Sequence, residues 1–152
     1  SKVIQLPFEH IPTVQEFVEQ ANEKGAKAYF AKLALDKIAR GETISKSLTY
    51  PVTTWTFGND LAMVFLAGEV VVDYSLRLKK ELAPGRLWVS AYSNDVPCYI
   101  ASKRVIKEGG YEVESSMYSY NQPGRFQESI EDLIVTTVHD LLPLSYKPKI
   151  KK

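Results

Sequence analysis

Glu69 is the carboxylate of this chain with the best position for chemistry. It follows an apolar run and two small residues, Ala67-Gly68, where a period of two gives way to a helical period. A carboxylate just beyond a buried strand can act as a metal ligand or a base. Gly68 before it permits close backbone approach or an unusual turn. The bland alternative is an acid in the first turn of a helix, where it interacts well with the dipole, and spacing alone favours that alternative. A second apolar run ends at Tyr92-Ser93-Asn94-Asp95, with Tyr99 and Tyr111 beyond it. Polar groups past strand ends are where α/β proteins build sites. Tyr99 and Tyr111 are two of 9 tyrosines, and most tyrosines are packing residues. Cys98 offers a thiol, but neither histidine lies near it in sequence and a buried inert thiol is expected. His10 and His139 stand 129 residues apart, a separation that resembles no local metal spacing. Asp95, Glu108, Glu112 and Glu114 supply further carboxylates, expected to be solvated or capping. Lys107-Glu108-Gly109-Gly110 lacks the pattern of a phosphate loop.

These residues need a scaffold, and 152 residues suit one domain with one core. Residues 1–12, with Pro7 and Pro12, read as an extended lead-in. Thr13-Val14-Gln15-Glu16 predicts a capping box and a helix to about Lys24, stopped at Gly25. A second helix is expected over about Ala26 to Arg40, with Gly41 as its stop. Residues 43–57 turn β-branched and aromatic, and Pro51 predicts an edge strand or two strands broken there. Gly58-Asn59-Asp60 predicts a turn, with a central strand over Leu61 to Leu66 and an antiparallel hairpin between the two. From Glu69, Val71, Tyr74, Leu78 and Leu82 share one helical face. Pro84-Gly85 ends that helix, and Leu87 to Tyr92 is a second buried strand, which makes a βαβ unit. Residues 101–108 read as a short helix, Glu112 to Tyr120 as strand or loop, and Phe126 to Leu141 as a final amphipathic helix stopped by Pro143. The expectation is an α/β fold: a mixed sheet with helices packed on it, a helical pair at the N-terminus, a helix at the C-terminus, and a basic tail over 144–152.

Net charge is +1, from Lys+Arg 19 against Asp+Glu 18. That balance offers no footprint for nucleic acid or an anionic membrane. One cysteine excludes an internal disulfide, and no apolar run approaches the length of a transmembrane helix.

With the blocks assembled, the stretch resembles the neutral/alkaline ceramidase family. Phe65-Leu66-Ala67-Gly68-Glu69, followed by Leu76-Arg77, is similar to the family's "PGE…LR" block. Tyr92-Ser93-Asn94-Asp95-Val96-Pro97-Cys98-Tyr99 is similar to its "YAN…Y" block, and Gly110-Tyr111-Glu112 to its "GYEG" block. The order matches, and Tyr99 to Tyr111 keeps the 12-residue interval. The chain differs from the family pattern at Ala67, Cys98 and Val113. The resemblance implies a zinc amidase that cleaves the N-acyl bond of ceramide with metal-activated water. It implies Glu69 and Tyr99 as zinc ligands and Tyr111 as the donor that polarises the carbonyl or holds the oxyanion. Asn94 and Gly68 would support them. It further implies that residues 1–152 are the C-terminal portion of a larger catalytic domain, inactive or nearly so alone. The two zinc histidines would come from an N-terminal region, and the parent would be secreted or periplasmic. Two other readings stand beside it: a binding module that kept the sheet and lost the chemistry, and a free-standing hydrolase using Cys98 or the carboxylates.

Overall fold

A computed structural model describes residues 1–147. The N-terminal segment is extended, as its prolines require, but it is more than a lead-in. β1 (Lys2–Pro7) is the edge strand of a four-stranded sheet. Leu6 is fully buried, and Phe8 stacks on Phe126 at 4.8 Å between ring centroids. α1 (Val14–Ala21) starts with the expected capping box: the Glu16 amide donates to the Thr13 hydroxyl at 3.3 Å, and the Thr13 amide donates to the Glu16 carboxylate at 2.7 Å. The helix stops short of Lys24, because Gly25, with φ of 86°, serves as the entry to α2 (Ala26–Ala39). Phe17 and Phe30 from this pair form a small separate cluster against Tyr118.

β2 (Ser47–Phe57) corrects the expectation at Pro51. It is one unbroken strand of 11 residues, and it lies inside the sheet between β1 and its hairpin partner. Pairing with β1 ends at Lys2↔Val52, so Pro51, opposite Val3, sits one step from the end of that ladder. A missing amide donor disturbs the fewest hydrogen bonds there.

β3 (Leu61–Leu66) completes the hairpin and is central as expected, antiparallel to β2 and parallel to the strand that follows the crossover helix. β4 (Glu69–Val70) and α3 (Val72–Glu81) lead from β3 to that strand, β5 (Leu87–Ser90), which gives the sheet order β1-β2-β3-β5. The βαβ unit read from the change of period is therefore present. A separate two-stranded ribbon pairs β4 in parallel with β6 (Tyr99–Ile100). α4 (Lys103–Glu108) stops at Gly109, with φ of 72°. The ambiguous stretch 112–120 becomes a turn and α5 (Ser115–Ser119), and α6 (Ile130–Leu141) ends before Pro143. The fold is α/β, a mixed sheet with helices on it. Tyr74 and Leu78 of α3 and Ile130, Ile134 and Val138 of α6 pack with Leu6, Tyr50, Val52, Val64 and Leu66 in one core. No helix among the described residues is long and apolar enough to cross a membrane.

The segment expected as a basic tail begins in the core. Tyr146 is buried, donates to the Gly58 carbonyl at 3.0 Å and carries the Arg86 guanidinium over its ring. The rest of that expectation, 148–152, lies outside the described residues.

Asp73 ties α3 to α4. It accepts from the Arg104 guanidinium at 3.1 Å and from the Ser102 hydroxyl, which is buried. Arg104 first, then Ser102, holds its carboxyl below the usual range. The folded pKa therefore lies below the unfolded one, about 3.9. This contribution is complete above that value and is lost as pH falls through the lower folded pKa. Asp73→Asn is expected to cost about 1–2 kcal/mol at pH 7 in urea unfolding. The gap to the parent chain should close as pH drops below about 4. A constant gap down to acid unfolding would contradict this account.

Candidate functional site

The site is built where the loop after β5 lies along the turn after β3. The Gly68 amide donates to the Asp95 carbonyl at 2.8 Å, and the Glu69 amide to the Cys98 carbonyl at 3.0 Å. In return the Tyr92 amide donates to the Gly68 carbonyl at 2.9 Å, and the Ser93 amide to the Leu66 carbonyl at 3.0 Å. Gly68 makes this approach possible. Its φ is 82°, and a Cβ there would stand 2.6 Å from the Cys98 carbonyl oxygen. On the far side of the turn, the Tyr50 hydroxyl donates to the Ala67 carbonyl at 2.8 Å from a fully buried position.

These bonds move Glu69 out of the helix. It belongs to β4, while α3 begins after Val71 and has Asp73 as its first-turn acid. The dipole reading of Glu69 is thereby replaced. Two β-branched residues, Val70 and Val71, follow it, and the Val71 amide donates to the Ile100 carbonyl at 3.2 Å. A ladder partner thus takes the place of a first helical turn.

Glu69 and Tyr99 are register partners in the parallel ribbon, so their side chains stand on the same side. Two tyrosine hydroxyls donate to the Glu69 carboxylate, Tyr92 to Oε2 at 2.7 Å and Tyr120 to Oε1, and the Tyr99 phenol stands beside it as its register partner. Tyr111 joins through its ring, edge-to-face with Tyr99 at 5.9 Å, and Tyr120 meets Tyr99 similarly at 6.4 Å. The hydroxyls of Tyr120, Tyr92 and Tyr99 hold the Glu69 carboxyl below the usual range. The carboxylate in turn pushes the Tyr99 and Tyr120 phenols up to about 12 and raises that of Tyr92. At neutral pH the cluster is one negative carboxylate among three neutral phenols.

The sequence singled out Glu69, Tyr99 and Tyr111, and the fold brings all three together. Gly68 is buried beneath them, and Asn94 is exposed with a left-handed φ of 70°, shaping the loop that carries Tyr92. Tyr92 and Tyr120 went unrecognised as partners of Glu69. For Tyr92 a signal existed, because it stands directly past a buried strand. For Tyr120 there was none, since its position depends on how α5 returns to the ribbon.

Other candidates fall away. Cys98 is fully buried, and burial pushes its thiol up to about 12, which leaves no thiolate nucleophile. Asp95 accepts from the Val96 amide at 2.8 Å, and Glu108 pairs with Arg104. His10 bonds Glu16, and His139 bonds Glu81 at the far end of α3.

The donor set bears on zinc. Glu69 and Tyr99 present hard oxygen donors from paired positions of the ribbon, which fits two positions of a zinc shell. Among the described residues, no group of three or more His, Cys, Asp or Glu side chains is arranged to hold a metal. The residues fit zinc as half a site.

Comparison of the chain with protein-family models, with curated proteins and with solved structures finds no match.

Proposed function

We propose that this chain is one wall of the active site of a zinc-dependent amidase of the ceramidase type, which cleaves the N-acyl bond of ceramide or a related lipid amide. The observation that carries the proposal is the convergence of Glu69 and Tyr99. They are 30 residues apart in sequence and paired in register, with Tyr111 against the Tyr99 ring. The motifs that resemble the family thus meet at one point.

Glu69 and Tyr99 would hold the zinc, which when bound supplies a Lewis acid and lowers the pKa of coordinated water. Glu69 is ready for that role, because its neighbours keep it ionised. Tyr99 has to release its hydroxyl proton to become an anionic ligand, so binding is coupled to proton release. Tyr92 and Tyr120 orient the Glu69 carboxylate by donating to its two oxygens. The Tyr111 phenol, 58% exposed, is free to donate to a developing oxyanion. Two protein ligands fall short of the usual three. The remaining ligands are histidines from a region of the same protein outside residues 1–152, and residues 1–152 alone are inactive. The substrate class rests on the resemblance.

The test is hydrolysis of ceramide in detergent micelles by the full parent protein, read as release of the free sphingoid amine. Chelation should abolish the activity and added zinc restore it, while residues 1–152 alone release no amine. A zinc-loaded parent that leaves the amide intact sinks the amidase reading. The bonding of both Glu69 oxygens by Tyr92 and Tyr120 also suits a binding module that uses the cluster only as a structural knot. Under that reading, the purified parent carries no stoichiometric zinc.

A further inference from the structure

The helical pair and the sheet carry separate cores, and a cavity of about 250 Å3 opens along the seam between them. Each core lends it one ring. Phe8 comes from the main core, fixed by its stack on Phe126, and Phe30 comes from the small cluster, fixed edge-to-face against Phe17 at 6.0 Å. Both phenylalanines are 5% exposed, so the floor is apolar and held by packing. Ile44 adds an aliphatic wall. Seams between separately packed units are common places for ligand sites.

The walls are polar and carry one sign of charge. Lys37 of α2 supplies an ammonium, Thr43 a hydroxyl and Asn121 a side-chain amide. Among the described residues no acid lines the cavity. The lysines that form ion pairs there are Lys2, Lys27 and Lys107, so Lys37 has no carboxylate partner, and the neighbouring Glu42 is taken by Arg40 at 2.8 Å. Nor do the Thr43 hydroxyl and the Asn121 side chain bond any described residue. The wall that carries Asn121 is fixed by its backbone. Asn121 has a left-handed φ of 57°, its amide donates to the Tyr118 carbonyl at 3.1 Å, and the Gln122 side chain donates to the Pro97 carbonyl at 3.1 Å. An ammonium, a hydroxyl and a primary amide all donate hydrogen bonds. They stand over two aromatic rings with no protein acceptor.

We infer that this seam binds a small monocarboxylate that carries one aromatic ring. The size agrees. A cavity of about 150 Å3 holds benzene, so about 250 Å3 takes one ring with a short acidic arm. The ring lies against Phe8 and Phe30, and the carboxylate meets the Lys37 ammonium, with Thr43 and Asn121 donating to its oxygens. One lysine matches one negative charge. A phosphate monoester, with about −1.5 to −2 at pH 7, would leave charge unmatched, and no guanidinium lines the cavity to hold it bidentately. Glu69 and Tyr99 are not among the residues of the seam, so the inference stands apart from the amidase reading.

The probe is phenylacetate, titrated into residues 1–152 by calorimetry and followed by amide shifts in nitrogen-15-labelled protein. One-to-one binding with a Kd of about 1 mM or tighter is expected, within reach of a ligand this small. The shifts should gather at Lys37, Thr43 and Asn121. Phenylacetamide keeps the ring without the charge, and acetate keeps the charge without the ring; each should bind about 10-fold more weakly or worse. Lys37→Met should weaken phenylacetate by a similar factor and leave phenylacetamide unchanged. Lys37 is exposed, so melting should not move. Asn121→Gly keeps the left-handed backbone and should cost about 5-fold in affinity. Thr43→Trp fills the mouth from an exposed position and should abolish binding of both ring-bearing probes. No saturable binding up to about 20 mM phenylacetate overturns the inference. So does equal affinity for phenylacetamide, which removes recognition of charge, or tighter binding of phenyl phosphate, which gives the seam to another ligand class. Shifts confined to Glu69 and its tyrosines, or undiminished binding in Lys37→Met and Thr43→Trp, place the ligand elsewhere and overturn it too.

Discussion

Replacing Gly68 by alanine should cost about 3 kcal/mol or more of stability, from a left-handed residue penalty of roughly 1–2 kcal/mol plus a backbone clash. The φ of 82° sets the first term. The second comes from the Cys98 carbonyl oxygen, which a new Cβ would meet at 2.6 Å. That oxygen cannot retreat easily. It accepts the Glu69 amide at 3.0 Å, and the Gly68 amide is bound to the same loop through Asp95 at 2.8 Å. Relief would separate β4 from β6 and pull Glu69 away from Tyr99. Gly41→Ala is the matched control: its φ of 80° is similar, but nothing lies within 4 Å of a Cβ there. It should cost only the left-handed penalty of about 1 kcal/mol. Urea unfolding of both variants decides the point, and equal losses would show that close approach is not what Gly68 provides.

If the proposed amidase reading holds, Glu69→Ala in the parent protein should lower kcat/KM for amide hydrolysis by about 10³-fold or more, the equivalent of the several kcal/mol that a correctly held metal supplies. The fold should survive. Glu69 lies at the rim of the ribbon, partly exposed, and its backbone bonds to Cys98 do not involve the side chain. Of the two tyrosines it releases, Tyr92 is exposed and Tyr120 partly exposed, and both can turn to water. Glu69→Gln sharpens the result. An amide oxygen still accepts a tyrosine hydroxyl but brings no negative charge to a cation. Under the amidase reading, the Gln variant is therefore as inactive as the Ala variant, with zinc content reduced in both. Retained activity in either, with near-normal melting, removes Glu69 from the proposed role. Activity rescued by Gln alone would make it a hydrogen-bond acceptor and not a ligand.

Much of the scaffold was legible because it depends on local chemistry. The Thr13 capping box, the hairpin at Gly58-Asn59-Asp60 and the change of period into α3 each lie within a few residues of the chain, where side-chain spacing and turn preferences act directly. Apart from the end of α1, set short of Lys24 by its neighbours in sequence, the misreadings were non-local. Pro51 signalled an edge, yet an interior strand tolerates it because β1 ends almost opposite. Residues 1–12 carried no strand pattern that distinguished a loose extension from a paired one, since pairing needs β2. Residues 144–147 read as tail, although Tyr146 finds a pocket between Gly58 and Arg86.

The candidate site divides in the same way. By itself the sequence determined which residue types are present at Glu69, Tyr99 and Tyr111, their order and their intervals, and a glycine before the acid. Those are properties of the chain as a string, enough to support a resemblance. Only the tertiary structure decided that Glu69 is a strand residue and not a helix-dipole acid, that Tyr99 stands in register with it, and that Tyr92 and Tyr120 share its carboxylate. The physical reason is that a backbone amide takes the partner that lies nearest after folding. At Glu69 that partner is the Cys98 carbonyl, 29 residues away, brought within reach because Gly68 has no side chain to keep it out.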